Sequence, residues 1–153
     1  MITTRTGTDY NMNSVAKKQV DLLYKELSYK IRGAAIEVKK SYGLGHKEVL
    51  YQRAFAEELT LQKIRYEKEK QVKIYSPKTE KAIASYQLDF LVENKIIVEL
   101  KALEKIPQIA IDQLYSYLRN SEYQLGFLIN FSSNGVDIKR IIYTNDRKKH
   151  IPC

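Results

Sequence analysis

The stretch Tyr86-Gln87-Leu88-Asp89-Phe90-Leu91-Val92-Glu93-Asn94-Lys95-Ile96-Ile97-Val98-Glu99-Leu100-Lys101 decides how this chain folds. Alternate residues of a strand share a face. Leu88, Phe90 and Val92 make one apolar set, and Ile96, Val98 and Leu100 make another. Both sets are expected to face one core. The connection fixes the register. If Val92 pairs with Ile96 across the three residues Glu93-Asn94-Lys95, Asp89 lies opposite Glu99 and Gln87 opposite Lys101. A two-residue turn would set Asp89 against Leu100 and mix polar with apolar faces, a slip that strand pairing rejects.

Working outward, the spacing of Leu23, Leu27, Ile31, Ala34, Ala35 and Val38 predicts a helix over 15–42, with Gly33 either interrupting it or allowing close packing. Gly43-Leu44-Gly45 breaks the chain. A second helix is expected from His46 to Leu61, with Glu48, Tyr51, Gln52, Phe55 and Leu59 on one stripe. Strands are expected at Gln71–Tyr75, Ala82–Val92 and Lys95–Lys101, with Ser76-Pro77-Lys78 turning between the first two. Pro107 marks the first turn of a third helix that ends near Asn120. Tyr123–Asn130 reads as a buried strand, Ser132-Ser133-Asn134-Gly135 as a loop, and Val136–Tyr143 as a last strand. An antiparallel meander followed by a strand–helix–strand crossover to a parallel neighbour gives a mixed α/β sheet with packed helices.

Two carboxylates directly opposite in a sheet repel, and a cation between them removes the conflict. Hard oxygen ligands favour Mg²⁺, with Mn²⁺ possible, and no Cys or His cluster competes. Such an ion can bind a phosphate oxygen and activate water. Lys101, on the face of Glu99, can stabilise developing charge; its plainer role is a salt bridge to Glu99. Hydrolysis of a phosphodiester needs these parts. Glu48 heads an otherwise apolar stripe, which points it inward, although a first-turn acid also suits the helix dipole. Gln113 and Tyr117 share a helix face and can reach the sheet edge. Packing is the plainer role for Tyr117, whereas a Gln beside Ala110 and Leu114 needs a partner for its amide.

The 153 residues fit one domain. Net charge of +8 and a pI near 9.4 point to a polyanionic partner, with nucleic acid foremost. Lys63, Arg65, Lys68, Lys70 and Lys73, with Lys139, Arg140, Arg147, Lys148 and Lys149, are candidates for a phosphate track or for ordinary solvated surface. His46 is a candidate ligand, more simply a surface residue at a helix start. His150 carries no assigned role, and Asn130 is read as a turn former. The one cysteine, Cys153, excludes an internal disulfide. No signal-peptide core or membrane-length apolar run is found, so a soluble cytoplasmic protein without membrane contact is expected. The organisation expected is a flexible tail over 1–14, a folded domain over 15–144 and a basic tail over 145–153.

The chain resembles the small GxxExxY proteins of the PD-(D/E)XK nuclease superfamily. The likeness runs from Tyr24 to Ile142. It rests on Lys30-Ile-Arg-Gly-Ala-Ala-Ile-Glu-Val38, the Gly45/Glu48/Tyr51 signature, Glu58-Leu59, Asp89 and Val98-Glu-Leu-Lys-Ala102. Further matches are Gln113-Leu114 with Tyr117-Leu118, Leu125-Gly-Phe-Leu-Ile-Asn-Phe131 and Ile138-Lys-Arg-Ile-Ile142. The resemblance implies the restriction-endonuclease-like α-β-β-β-α-β core. It implies that Glu48, Asp89, Glu99 and Lys101 are active-site positions, and that Gln113 and Tyr117 match the Q-x-x-x-Y motif of the exonuclease branch. Leu88 stands where that superfamily often has proline. The reading is then a Mg²⁺-dependent deoxyribonuclease. Asp89, Glu99 and the Leu100 carbonyl bind the ion, Glu48 is a further ligand, Lys101 acts beside them, and Gln113 and Tyr117 support the site. The rivals are a non-catalytic nucleic-acid-binding module and a subunit that needs a homodimer or protein partner.

Overall fold

The structure, a computed structural model, describes residues 23–148. The expected tail at 1–14, the helix start at 15–22 and residues 149–153 of the basic tail expected over 145–153 lie outside the described residues. The chain forms two compact units, residues 1–31 and 32–153. Of the first, residues 23–31 are described. They open helix α1 (Lys25–Tyr42), with Ser28 N–H donating to the Tyr24 carbonyl at 2.8 Å.

The second unit holds the rest of α1, helix α2 (Glu48–Leu61), strands β1 (Tyr66–Tyr75), β2 (Ala82–Val92) and β3 (Ile96–Lys101), helix α3 (Gln108–Arg119), and strands β4 (Leu125–Ser132) and β5 (Gly135–Ile142). The strands form one sheet in the order β1-β2-β3-β4-β5. Only β3 and β4 run parallel, joined through α3; the other pairs are antiparallel. The mixed sheet expected from the sequence is therefore present.

The register is the one the hydrophobic pattern demands. Val92 pairs with Ile96, Leu91 with Ile97 and Phe90 with Val98. The turn holds Glu93 and Asn94 at φ 52 and 53, left-handed values that a short connection requires. Arg65 secures it: its backbone N–H donates to Glu93 Oε1 at 2.8 Å and its guanidinium to Oε2 at 3.1 Å.

The sheet is covered on both faces. Phe90 meets Phe55 of α2 edge-on at 5.1 Å, and Phe131 stacks on Tyr51 at 4.2 Å. On the other face Leu91, Ile97 and Leu128 pack with Ala110, Leu114 and Leu118 of α3. Gly126 is needed there because a Cβ would stand 2.9 Å from Leu114 Cδ1.

Several expectations are corrected. Strand β1 begins at Tyr66, not Gln71. It is an edge strand, so its Glu-Lys run faces solvent on one side and reads as a loop. Leu88 does not share a core with Phe90. It packs in the α3 cluster with Tyr86, Leu91 and Ile97, although Leu88 and Leu91 are an odd number of residues apart. The strand therefore changes face at Asp89. Beside it, Glu69 has φ 55 and drops out of the β1–β2 pairing between Lys68↔Phe90 and Lys70↔Leu88. Gly33 neither interrupts α1 nor marks close packing, since nothing lies within 4 Å of a Cβ built there. Strand β4 runs to Ser132, which leaves only Ser133-Asn134 as the turn; Ser132 Oγ accepts from Asn134 N–H at 3.2 Å. Pro107 is the residue before α3, one position earlier than expected. Among the described residues no helix is long and apolar enough to cross a membrane.

Candidate active site

The β2–β3 ladder stops where the carboxylates begin. The last backbone pair is Phe90↔Val98. The next position in the same register sets Asp89 against Glu99, and there side chains replace the ladder. Asp89 N–H donates to Glu99 Oε1 at 3.4 Å, and Leu100 N–H donates to Asp89 Oδ2 at 3.0 Å. The acidic side chains are thus held by the backbone of the opposite strand. Asp89 alternates with Leu91 and Glu99 with Ile97, and both of those apolar residues pack under α3.

Glu99 is half-buried, and its carboxyl is pushed well above the usual carboxylate range. Burial is the main cause, followed by the negative charge of Asp89; Lys101 opposes the shift. The ion pairs found among the described residues leave out Asp89, Glu99 and Lys101. The plainer role of Lys101, a salt bridge to Glu99, is therefore not formed. Two carboxyl groups converge with no internal cation in contact, an arrangement that a bound cation stabilises.

Glu48 stands at the first residue of α2, half-buried. Burial raises its pKa, Lys101 lowers it, and Asp89 raises it. Its carboxyl therefore feels the same charges. Among the described residues, however, no three His, Cys, Asp or Glu side chains gather as a set that could hold a metal. The acidic centre is a pair, with Glu48 at longer range. A pair of carboxylates still suits Mg²⁺, which retains several waters and needs one or two protein carboxylates.

The loop before Glu48 is fastened by Tyr51. Its buried hydroxyl donates to the Gly43 carbonyl and accepts from His46 N–H, both at 3.2 Å. The sequence offers this tyrosine a place on a stripe and in the Gly45/Glu48/Tyr51 signature but not this fastening role; a buried phenol needing a partner is the available signal. His46 Nε2 donates to the Tyr42 carbonyl at 2.7 Å, so its ring serves the end of α1 and not the acidic pair.

From α3, Tyr117 is half-buried and its phenol is raised by burial and then by the charges of Glu99 and Asp89. It stacks on Tyr86 at 3.7 Å, and the Gln113 side chain one turn earlier opposes the rise of its phenol. Of the expected Gln113/Tyr117 pair, Tyr117 feels the charges of the carboxylates and Gln113 is exposed.

The expected basic track is thinner than its charge count. Arg65 is committed to Glu93 and Lys70 to Glu67 at 2.9 Å. Arg147 lies over the Tyr143 ring at 4.3 Å. Lys148 Nζ donates to the carbonyls of Ser121 and Tyr123, so the described part of the basic tail folds back on the domain. Lys149 and His150 lie outside the described residues.

Asn130 is not the turn former that its place at the end of an apolar run suggests. It is a fully buried strand residue paired with Lys101. Its side chain bonds both backbone groups of Leu103.

No curated protein matches the chain. The solved structure of SSO0001 is similar with a TM-score of 0.41 and 17% identity, over 71% of this chain and 60% of that one; the chain thus spans less than two thirds of that protein's length. The model of the PD-(D/E)XK nuclease superfamily matches residues 25–141, from the start of α1 to the last residue but one of β5. The five-stranded mixed sheet with helices on both faces is the restriction-endonuclease-like fold, and the chain belongs to the PD-(D/E)XK nuclease superfamily.

Proposed function

We propose that the chain is a Mg²⁺- or Mn²⁺-dependent nuclease acting on DNA, and that within its superfamily it is a GxxExxY protein. One observation carries the reading: Asp89 and Glu99 interlock across β2 and β3 at the point where the backbone ladder ends. Binding alone has no use for two converging carboxylates, one of them forced towards protonation.

Asp89, Glu99 and the Leu100 carbonyl would hold the ion. When bound, it supplies Lewis-acid polarisation of a phosphate oxygen and acidifies the attacking water. Lys101 places an uncommitted ammonium beside the oxygens on which negative charge develops. Glu48, half-buried and tuned by Lys101 and Asp89, orients water at the mouth of the site. The Tyr117 hydroxyl, supported by Gln113 and by its stack on Tyr86, borders the carboxylates.

The test is incubation with plasmid, linear duplex and single-stranded DNA in Mg²⁺ or Mn²⁺. The expected result is cleavage that EDTA abolishes and that falls on the order of 10²–10⁴-fold in Asp89→Asn and Lys101→Ala. Cleavage that survives these substitutions would remove both residues from the mechanism. Salt-sensitive DNA binding without hydrolysis under any divalent ion would make the protein a binding module instead.

A further inference from the structure

We infer that Asn130 is a positioning residue for Lys101, acting as a side-chain strand partner that carries the β3–β4 pairing past the end of β3. The inference rests on the nuclease reading for its effect on turnover, and on the geometry alone for its effect on the chain.

Backbone pairing between β3 and β4 ends at Lys101↔Asn130. Beyond it the chain leaves the sheet through residues 102–107 on its way to α3. Leu103 has no strand neighbour there. The Asn130 amide supplies one: Oδ1 accepts from Leu103 N–H at 2.9 Å, and Nδ2 donates to the Leu103 carbonyl at 2.9 Å. One side chain therefore reproduces both bonds that a neighbouring strand would make to a single residue. Asn130 is 1% exposed, so both bonds are sheltered from water.

An amide in a buried strand is costly unless satisfied, and apolar side chains occupy Leu125, Phe127, Leu128 and Ile129 before it and Phe131 after it. A Val or Leu at this position would pack as well but would leave both polar groups of Leu103 unpaired. What the amide adds is a fixed path for the chain two residues after Lys101. With Glu99 and Leu100 anchored by Asp89 on one side and Leu103 anchored by Asn130 on the other, Lys101 sits on a segment held at both ends. Its ammonium is then constrained towards the carboxylate pair although no ion pair holds it there.

The test compares wild type with Asn130→Asp, nearly isosteric but without the donor, and Asn130→Ala. DNA cleavage is measured in Mg²⁺, and amide hydrogen exchange is measured residue by residue. Melting and far-UV circular dichroism identify which variants are folded; if Asn130→Ala is not, Asn130→Asp decides. The expected result is a fall in kcat of about tenfold to a hundredfold with KM for DNA within about twofold, together with loss of Leu103 amide protection. Unchanged kcat, or a loss expressed wholly in KM, would overturn the role. If wild type itself does not cleave DNA, the nuclease reading falls separately, and exchange alone decides. Loss of protection confined to residues near 101–103 would uphold the staple. Retained protection at Leu103 would overturn it.

Discussion

Replacing Glu99 with glutamine should stabilise the fold while abolishing metal-dependent activity. The carboxyl of Glu99 is half-buried and faces Asp89, and both burial and that charge raise its pKa. Two unit charges about 4 Å apart repel by roughly 4 kcal/mol at an effective dielectric near 20. Solvent access and proton uptake reduce the net cost at neutral pH to about 1–2 kcal/mol. Glutamine keeps an oxygen to accept from Asp89 N–H and gains an N–H that can donate to the Asp89 carboxylate, so the shape and bonds of the pair survive. For a domain of this size the gain corresponds to a rise in Tm of roughly 2–8 °C. The sign with pH follows from linkage. Because the folded-state pKa lies above the unfolded value, Glu99 favours the fold most at acid pH. That contribution is lost as pH rises from the unfolded value, about 4.3, towards the raised folded value. Wild type should therefore lose stability between about pH 5 and 8 relative to Glu99→Gln, in metal-free buffer. Added Mg²⁺ should raise the Tm of wild type and leave the variant unmoved. Thermal melts of both proteins across this pH range, with and without the ion, measure all three effects. A variant that melts lower than wild type at pH 8 without metal would refute the reasoning, because it would mean that the Glu99 charge is already satisfied inside the protein.

Other perturbations have defined outcomes. Tyr51→Phe keeps the stack on Phe131 but leaves the Gly43 carbonyl and His46 N–H without their bond; a loss of about 1–2 kcal/mol is expected by denaturant titration. The same variant should cleave DNA more slowly, because the loop it fastens leads into Glu48. Gly126→Ala forces a methyl to within 2.9 Å of Leu114 Cδ1 and should cost about 1–3 kcal/mol, read as a lower Tm. Adding Leu114→Ala to it should cost less than the two single losses combined, since the two changes share one space. Arg65→Ala breaks an ion pair whose arginine side chain is 89% exposed, and cleavage in Mg²⁺ should stay within about twofold of wild type.

The acidic pair was legible because Leu88 to Leu100 allow one register that keeps apolar residues together, and that register brings Asp89 to Glu99 without reference to any distant contact. What escaped depends on geometry that local patterns do not encode. Leu88 packs under α3 although its alternation assigns it to Phe90, and beside it Glu69 leaves the β1 ladder. The first five residues of β1 are hidden by charges that an edge strand tolerates. Asn130 looks like a turn former at the end of an apolar run, and only the return of Leu103 from the far side of the crossover reveals its partner. The basic track overstated its reach because Arg65, Lys70 and Lys148 find partners inside the domain.

The most direct measurement is an anomalous diffraction map from crystals soaked in Mn²⁺. The expected result is a single strong peak between Asp89 and Glu99, within coordinating distance of an oxygen of each and of the Leu100 carbonyl. Density absent from that position in a soak of millimolar Mn²⁺, or present only elsewhere on the molecule, would contradict the metal-dependent reading.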